Sequence, residues 1–197
     1  MFNKIAATVM VLVVFMSLDA HAEGPLAVVE ARVDQFVKIL GDKTLGEDEK
    51  VKAIEKTANE TFDFFYLSRM TLGPNWKKLD NSQQGEFIEL YRQLLQGVYF
   101  RQLLTYTDEK IVFVRETMLT DTKAEVASTL ISSSKQIPIN YRLVFRNGEW
   151  RVYDLVIEGV SLVSNYRNQF NDLLNKKSPA DMLMTLRKKV TEEKNQT

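Results

Sequence analysis

Nowhere in its 197 residues does this chain place a cysteine. No disulfide can staple the fold, so a hydrophobic core has to suffice, and thiol chemistry is excluded. The single histidine, His21, falls inside an N-terminal segment that reads as a removable signal peptide. Lys4 comes early, an apolar run of about 14 residues extends from Ile5 to Leu18, and Ala20-His21-Ala22 forms a small-x-small cleavage site. That run is short of the roughly 20 apolar residues a membrane-spanning helix needs. Cleavage is expected after Ala22, with an uncleaved anchor as the competing reading; a lipoprotein anchor would require the missing cysteine. The exported protein, residues 23–197, would then carry neither histidine nor cysteine. Most nucleophile–base pairs and nearly all zinc or haem ligation go with them, so no metal and no cofactor is expected. Such a chain is better suited to holding a molecule than to transforming it.

About 175 residues remain after cleavage, a length suited to a single domain. Lys and Arg total 26 and Asp and Glu total 26. This balance gives no whole-chain field toward nucleic acid or an anionic membrane. Internal repeats and long low-complexity linkers are absent from the sequence.

From Pro25 to Leu40, Leu26, Val29, Val33, Phe36, Val37 and Leu40 recur at helical spacing, and Gly41 ends the run. A second helix is expected from Glu47 to Glu60, followed by an aromatic cluster over 62–67 and a break at Gly73-Pro74. Asp80-Asn81-Ser82-Gln83 has the pattern of a capping box and opens a helix running to about Tyr106. Gly97 in that helix predicts a bend or a close approach. From Lys110 the period becomes two, giving strands near 111–117, 123–133, 136–146 and 149–157. Asn147-Gly148 marks a hairpin, because a type I′ turn needs positive φ at both central residues. After Gly159 the helical period returns, and Ser178-Pro179-Ala180-Asp181 opens a last helix. The order predicts an α+β domain with helices gathered on one face of a curved antiparallel sheet.

Among groups that could do chemistry, Asp154 and Glu158 are the most suggestive carboxylates, flanking an apolar strand end. They can serve as a hydrolase pair or as structural groups at a turn. No glycine-rich phosphate loop, carboxylate metal loop or G-x-S-x-G elbow is present, and no catalytic residue is assigned. The surplus of Phe and Tyr admits two readings, an ordinary core or the wall of an apolar ligand cavity, which periodicity cannot separate.

Two stretches carry a resemblance. Leu72-Gly73-Pro74-Asn75-Trp76, followed by Asp80-x-x-Gln83 and the helix from Phe87, resembles the L-G-x-x-W/Y, T-x-x-Q, F-x-x-L pattern of the MlaC family, also called the toluene-tolerance family. The segment Trp150 to Leu162 resembles that family's W-x-V/A-Y-D-x-x-x-E-G-V-S block and is the more specific of the two. Asp80 stands where the family often has threonine; both residues cap helices. The resemblance spans essentially the whole exported chain. It implies a nuclear-transport-factor-like wedge enclosing an apolar cavity, with phospholipid as cargo and its head group at the mouth. It implies a periplasmic shuttle between an outer-membrane MlaA–porin complex and an inner-membrane MlaD ring with its ABC transporter, which maintains outer-membrane lipid asymmetry. Some family members are associated with hopanoid metabolism, so a carrier of another hydrophobic compound is the alternative. Burying about 28 methylenes would gain roughly 20 kcal/mol gross, so hand-over needs a partner offering an apolar path.

On this reading the cavity wall is expected from Ile139, Tyr141 and Leu143 on one strand and Tyr153, Leu155 and Ile157 on the next. Leu67, Met70, Val98 and Leu104 are expected opposite them on helices. Arg69 and Arg101 are candidate cations for the phosphate, and solvated surface charge is their competing role.

Overall fold

Asn147 and Gly148 adopt φ of 54° and 84°, which turns the chain tightly between β3 (Gln136–Arg146) and β4 (Glu149–Ile157). This hairpin sits inside a five-stranded antiparallel sheet in simple sequential order, with β1 (Lys110–Thr120), β2 (Lys123–Ile131) and a two-residue β5 (Val160–Ser161). The computed structural model describes residues 23–104, 110–133 and 135–195. The expected signal peptide, with His21, lies outside the described residues. Register shifts at Phe113/Arg115, Met118/Thr120 and Arg142/Leu143 mark bulges, and bulges of this kind curve a sheet.

Six α-helices are described, each begun by a group that meets its free backbone amides. In α1 (Pro25–Gly41), proline takes the first turn, and Glu116 reaches over from β1 to accept the Leu26 N–H at 2.8 Å. The first turn of α2 (Glu47–Thr61) is acidic, which suits the helix dipole, and Glu49 accepts the Gly46 N–H at 2.9 Å. Asp63 caps α3 (Phe64–Leu72) by accepting from the Tyr66 N–H, and its other oxygen binds Arg146 at 2.8 Å, tying helix to sheet. A 3-10 turn over Gly73–Lys78 leads to α4 (Asn81–Leu104). There Asp80 and Gln83 form the expected reciprocal capping box, at 2.9 and 3.1 Å. The last helices are α5 (Leu162–Leu174) and α6 (Pro179–Asn195), the latter capped by Ser178 through the Asp181 N–H. Gly97 is a close approach: a Cβ there would meet Glu193 of α6 at 3.3 Å.

Two apolar clusters result. The larger joins α3 to α6 around the fully buried Phe87 and Tyr91, which meet Phe170 edge-on. The smaller sets Val29 and Val33 of α1 against Val126, Leu143 and Val152 of the sheet. The opposite sheet face carries Glu125, Asn140 and Arg142, linked by hydrogen bonds. The helices therefore cover one face, and the other is open around these polar groups but buried at Val144 and Asp154.

Candidate functional site

Between the two clusters the packing does not close. A cavity of about 400 Å³ remains, within the size range of small-molecule sites. Its floor is the covered sheet face, where strand alternation turns Ile137, Ile139 and Tyr141 of β3 the same way. Antiparallel pairing sets Leu155 opposite Tyr141 and Ile157 opposite Ile139. Leu130 of β2 and Ile111 of β1 extend the floor. One wall is α1, through Val29, Val33, Phe36, Val37 and Leu40, which fall on one stripe of the helix. Ala58, Thr61 and Phe62 from α2 and its end, with Phe64 and Leu67 of α3, form the second wall. The third is α4, through Leu95, Gln96, Tyr99 and Leu103.

Polar groups in this lining are few, and most are engaged. Arg32 pairs with Glu60 at 2.9 Å. Burial pushes the Tyr141 hydroxyl above the ordinary phenol range, opposed by a hydrogen bond with Ser128, and burial does the same to Tyr99, opposed by one with Tyr166. Both phenols are neutral at physiological pH, so the cavity presents an apolar interior to a ligand. Such a chamber can sequester hydrocarbon; among the described residues no group of three or more His, Cys, Asp or Glu could hold a metal ion.

Of the expected wall residues, Leu67, Ile139, Tyr141, Leu155 and Ile157 line the cavity. Five do not. Leu143 shares the floor's face but is fully buried where α1 seals one end, against Val29 and Val33. Tyr153 is displaced by the bulge: Leu143 pairs with Val152 and Arg142 with Asp154, so Tyr153 is the extra residue. Its ring packs edge-on against Tyr66 at 5.2 Å, and Val152 takes the inward position. Met70 and Val98 pack into the helical core, and Leu103 rather than Leu104 reaches the cavity. Arg69 is exposed and is not part of the lining; the Arg101 side chain lies outside the described residues. The α1 wall was legible as an amphipathic stripe, yet nothing in one helix says what its stripe faces.

The Asp154 carboxylate acts as a structural group, and Glu158 contributes its backbone to a turn. Buried Asp154 accepts the Val163 N–H at 2.9 Å and the Ser161 hydroxyl at 2.7 Å, and pairs with Arg142 at 3.2 Å. It thus starts α5 and locks the β4–β5 corner. Glu158 and Gly159, at φ of 51° and 83°, make the turn between them. The Y-D-x-x-x-E-G-V-S block is accordingly a corner that folds α5 back across the sheet's end.

The sequence matches the family described as MlaC protein over residues 30–188. The intermembrane phospholipid transport system binding protein MlaC of Haemophilus influenzae is 28% identical over 125 residues, covering 61% of this chain and 58% of that protein's length. The chain thus spans less than two thirds of that relative. The fold is similar to that of a phospholipid-binding protein from Ralstonia solanacearum solved in complex with a phospholipid, with a TM-score of 0.77 and 24% identity, covering 85% of this chain and 97% of that one. The family match runs from α1, the cavity's outer wall, through the Asp154 corner and into α6, and this chain belongs to the MlaC family.

Proposed function

We propose that this chain is an exported phospholipid carrier: residues 1–22 are removed as a signal peptide, and residues 23–197 form one lipid-binding domain. It holds acyl chains in the cavity between sheet and helices. The observation that carries the reading is the cavity itself, about 400 Å³ walled almost entirely by aliphatic and aromatic side chains, in a chain similar to a phospholipid transport system binding protein and to a phospholipid-binding protein. Each methylene moved from water into such a wall gains about 0.8 kcal/mol, so a loaded carrier releases lipid to water very slowly. Exchange then requires partners that present an apolar path. On this reading, as the family resemblance implies, these are an MlaA–porin complex at the outer membrane and an MlaD ring with its ABC transporter at the inner membrane. A carrier has no energy source, so direction comes from the transporter, and the net effect is maintenance of outer-membrane lipid asymmetry. The structural duties of Asp154 and Glu158 support binding over catalysis.

The test is extraction from vesicles. Delipidated protein, incubated with phosphatidylethanolamine–phosphatidylglycerol vesicles and re-isolated, should carry near-stoichiometric phosphorus. A protein that returns without phosphorus, or takes a hopanoid in preference from mixed vesicles, overturns the phospholipid assignment.

A further inference from the structure

One polar group in the cavity has no partner. Gln96 on α4 lines the cavity and is 7% exposed, and its Nε2 makes no hydrogen bond among the described residues. Its orientation is fixed by chemistry. Arg92, one helical turn back, donates through Nη1 to Gln96 Oε1 at 2.9 Å, and Glu89 grips Arg92 through Nε at 3.0 Å and Nη2 at 2.6 Å. Arginine can only donate, so Oε1 must face it, and the amide –NH₂ is left as the free corner of the side chain. Buried donors in native proteins are normally paired. Here an unpaired one is held in place by a Glu89–Arg92–Gln96 relay at the wall of an apolar chamber.

We propose that Gln96 Nε2 donates a hydrogen bond to an ester carbonyl of the bound lipid, at the junction of acyl chain and glycerol. This rests on the phospholipid-carrier reading. An ester carbonyl is chosen over the phosphate because Gln96 is neutral and the positive charge of Arg92 is already met by Glu89. A phosphate drawn to this depth would lose its hydration for one neutral donor, which is unfavourable, whereas a neutral carbonyl needs only that one donor. The contact fixes how deep the chains enter and selects ester-linked over ether-linked lipid.

The experiment compares two phospholipids with identical head group and chain length, one ester-linked and one ether-linked, by competition for delipidated wild type and Gln96→Met. The wild type should prefer the ester lipid by roughly tenfold, the scale of one buried neutral hydrogen bond. Gln96→Met should bind both within about twofold of each other, its ether affinity close to wild type. Gln96→Glu keeps an acceptor for Arg92, removes the donor and adds a charge that acts on both lipids alike, so its ester-to-ether ratio is what is read; it should lose the same preference and serves if Gln96→Met fails to fold. No ester preference in the wild type overturns the proposal. So does a preference that survives in the variants; equal weakening of both lipids would assign Gln96 to the phosphate. If the wild type binds neither lipid, the carrier reading fails and this contact with it; loss of the ester preference alone leaves that reading standing.

Discussion

Replacing Ala58 with leucine separates a cavity from a packed core by the sign of its effect. Ala58 is 2% exposed on α2 and its side chain forms part of the cavity wall. Leucine adds about three carbons, each worth roughly 0.8 kcal/mol when moved out of water, so filling part of the empty space should stabilise the lipid-free protein by about 2 kcal/mol. Helix propensity hardly changes between alanine and leucine. For a domain of this size the gain corresponds to a rise in Tm of roughly 4–8 °C. The same carbons occupy room that acyl chain would fill, so lipid affinity should fall by a similar free energy, roughly thirtyfold. In a filled interior the same substitution would overpack and cost about 1–3 kcal/mol. Thermal unfolding of delipidated protein and a lipid-binding titration, run on wild type and Ala58→Leu, read both quantities. A lower Tm with unchanged lipid affinity would mean that the space beside Ala58 is filled core and takes no acyl chain.

Leu155→Arg places a charge on the cavity floor, where an unpaired cation is costly; lipid retention should drop at least tenfold while far-ultraviolet circular dichroism stays native. Asp154→Asn removes the buried charge that Arg142 faces and weakens the acceptor for Val163 and Ser161. Because Arg142 is 37% exposed and keeps Glu125 as a partner, the substitution should cost about 1–2 kcal/mol by chemical denaturation, while Glu158→Gln, at an exposed turn, should stay within about 0.5 kcal/mol. Burial raises the phenols of Tyr91, Tyr99, Tyr141 and Tyr166 above their ordinary value. Their stabilisation of the fold is fully present below the unfolded value of about 10 and is lost as pH rises toward the folded ones. Tm should therefore be flat from about pH 6 to 9 and fall above about 10, and the fall should be shallower in Tyr91→Phe.

Local chemistry was readable in the chain wherever a few neighbouring residues decide the outcome. The Asp80–Gln83 box, the Ser178 cap and the Asn147-Gly148 turn each work through contacts within four residues, and each forms as its pattern predicts. The cavity is different because it belongs to no single element. Strand β4 alternates cleanly in sequence, so Tyr153, Leu155 and Ile157 read as one face; the bulge opposite Arg142 and Leu143 is a property of the pair and shifts Tyr153 off it. Helix α4 is apolar on several sides because it meets α2, α3 and α6 at once. Spacing therefore could not choose Tyr99 and Leu103 over Val98 and Leu104. Gln96 was invisible as a functional residue, since a glutamine amid apolar positions carries no pattern until the Arg92 contact and the cavity wall are both known.

Native mass spectrometry, with lipid extraction, on protein purified from the periplasm without detergent reads directly whether the cavity holds lipid. The wild type should appear as residues 23–197 carrying one ester-linked phospholipid at near-stoichiometric occupancy, with reduced occupancy in Leu155→Arg. A wild-type protein that emerges free of lipid, and stays free after incubation with phospholipid vesicles, would contradict the carrier reading.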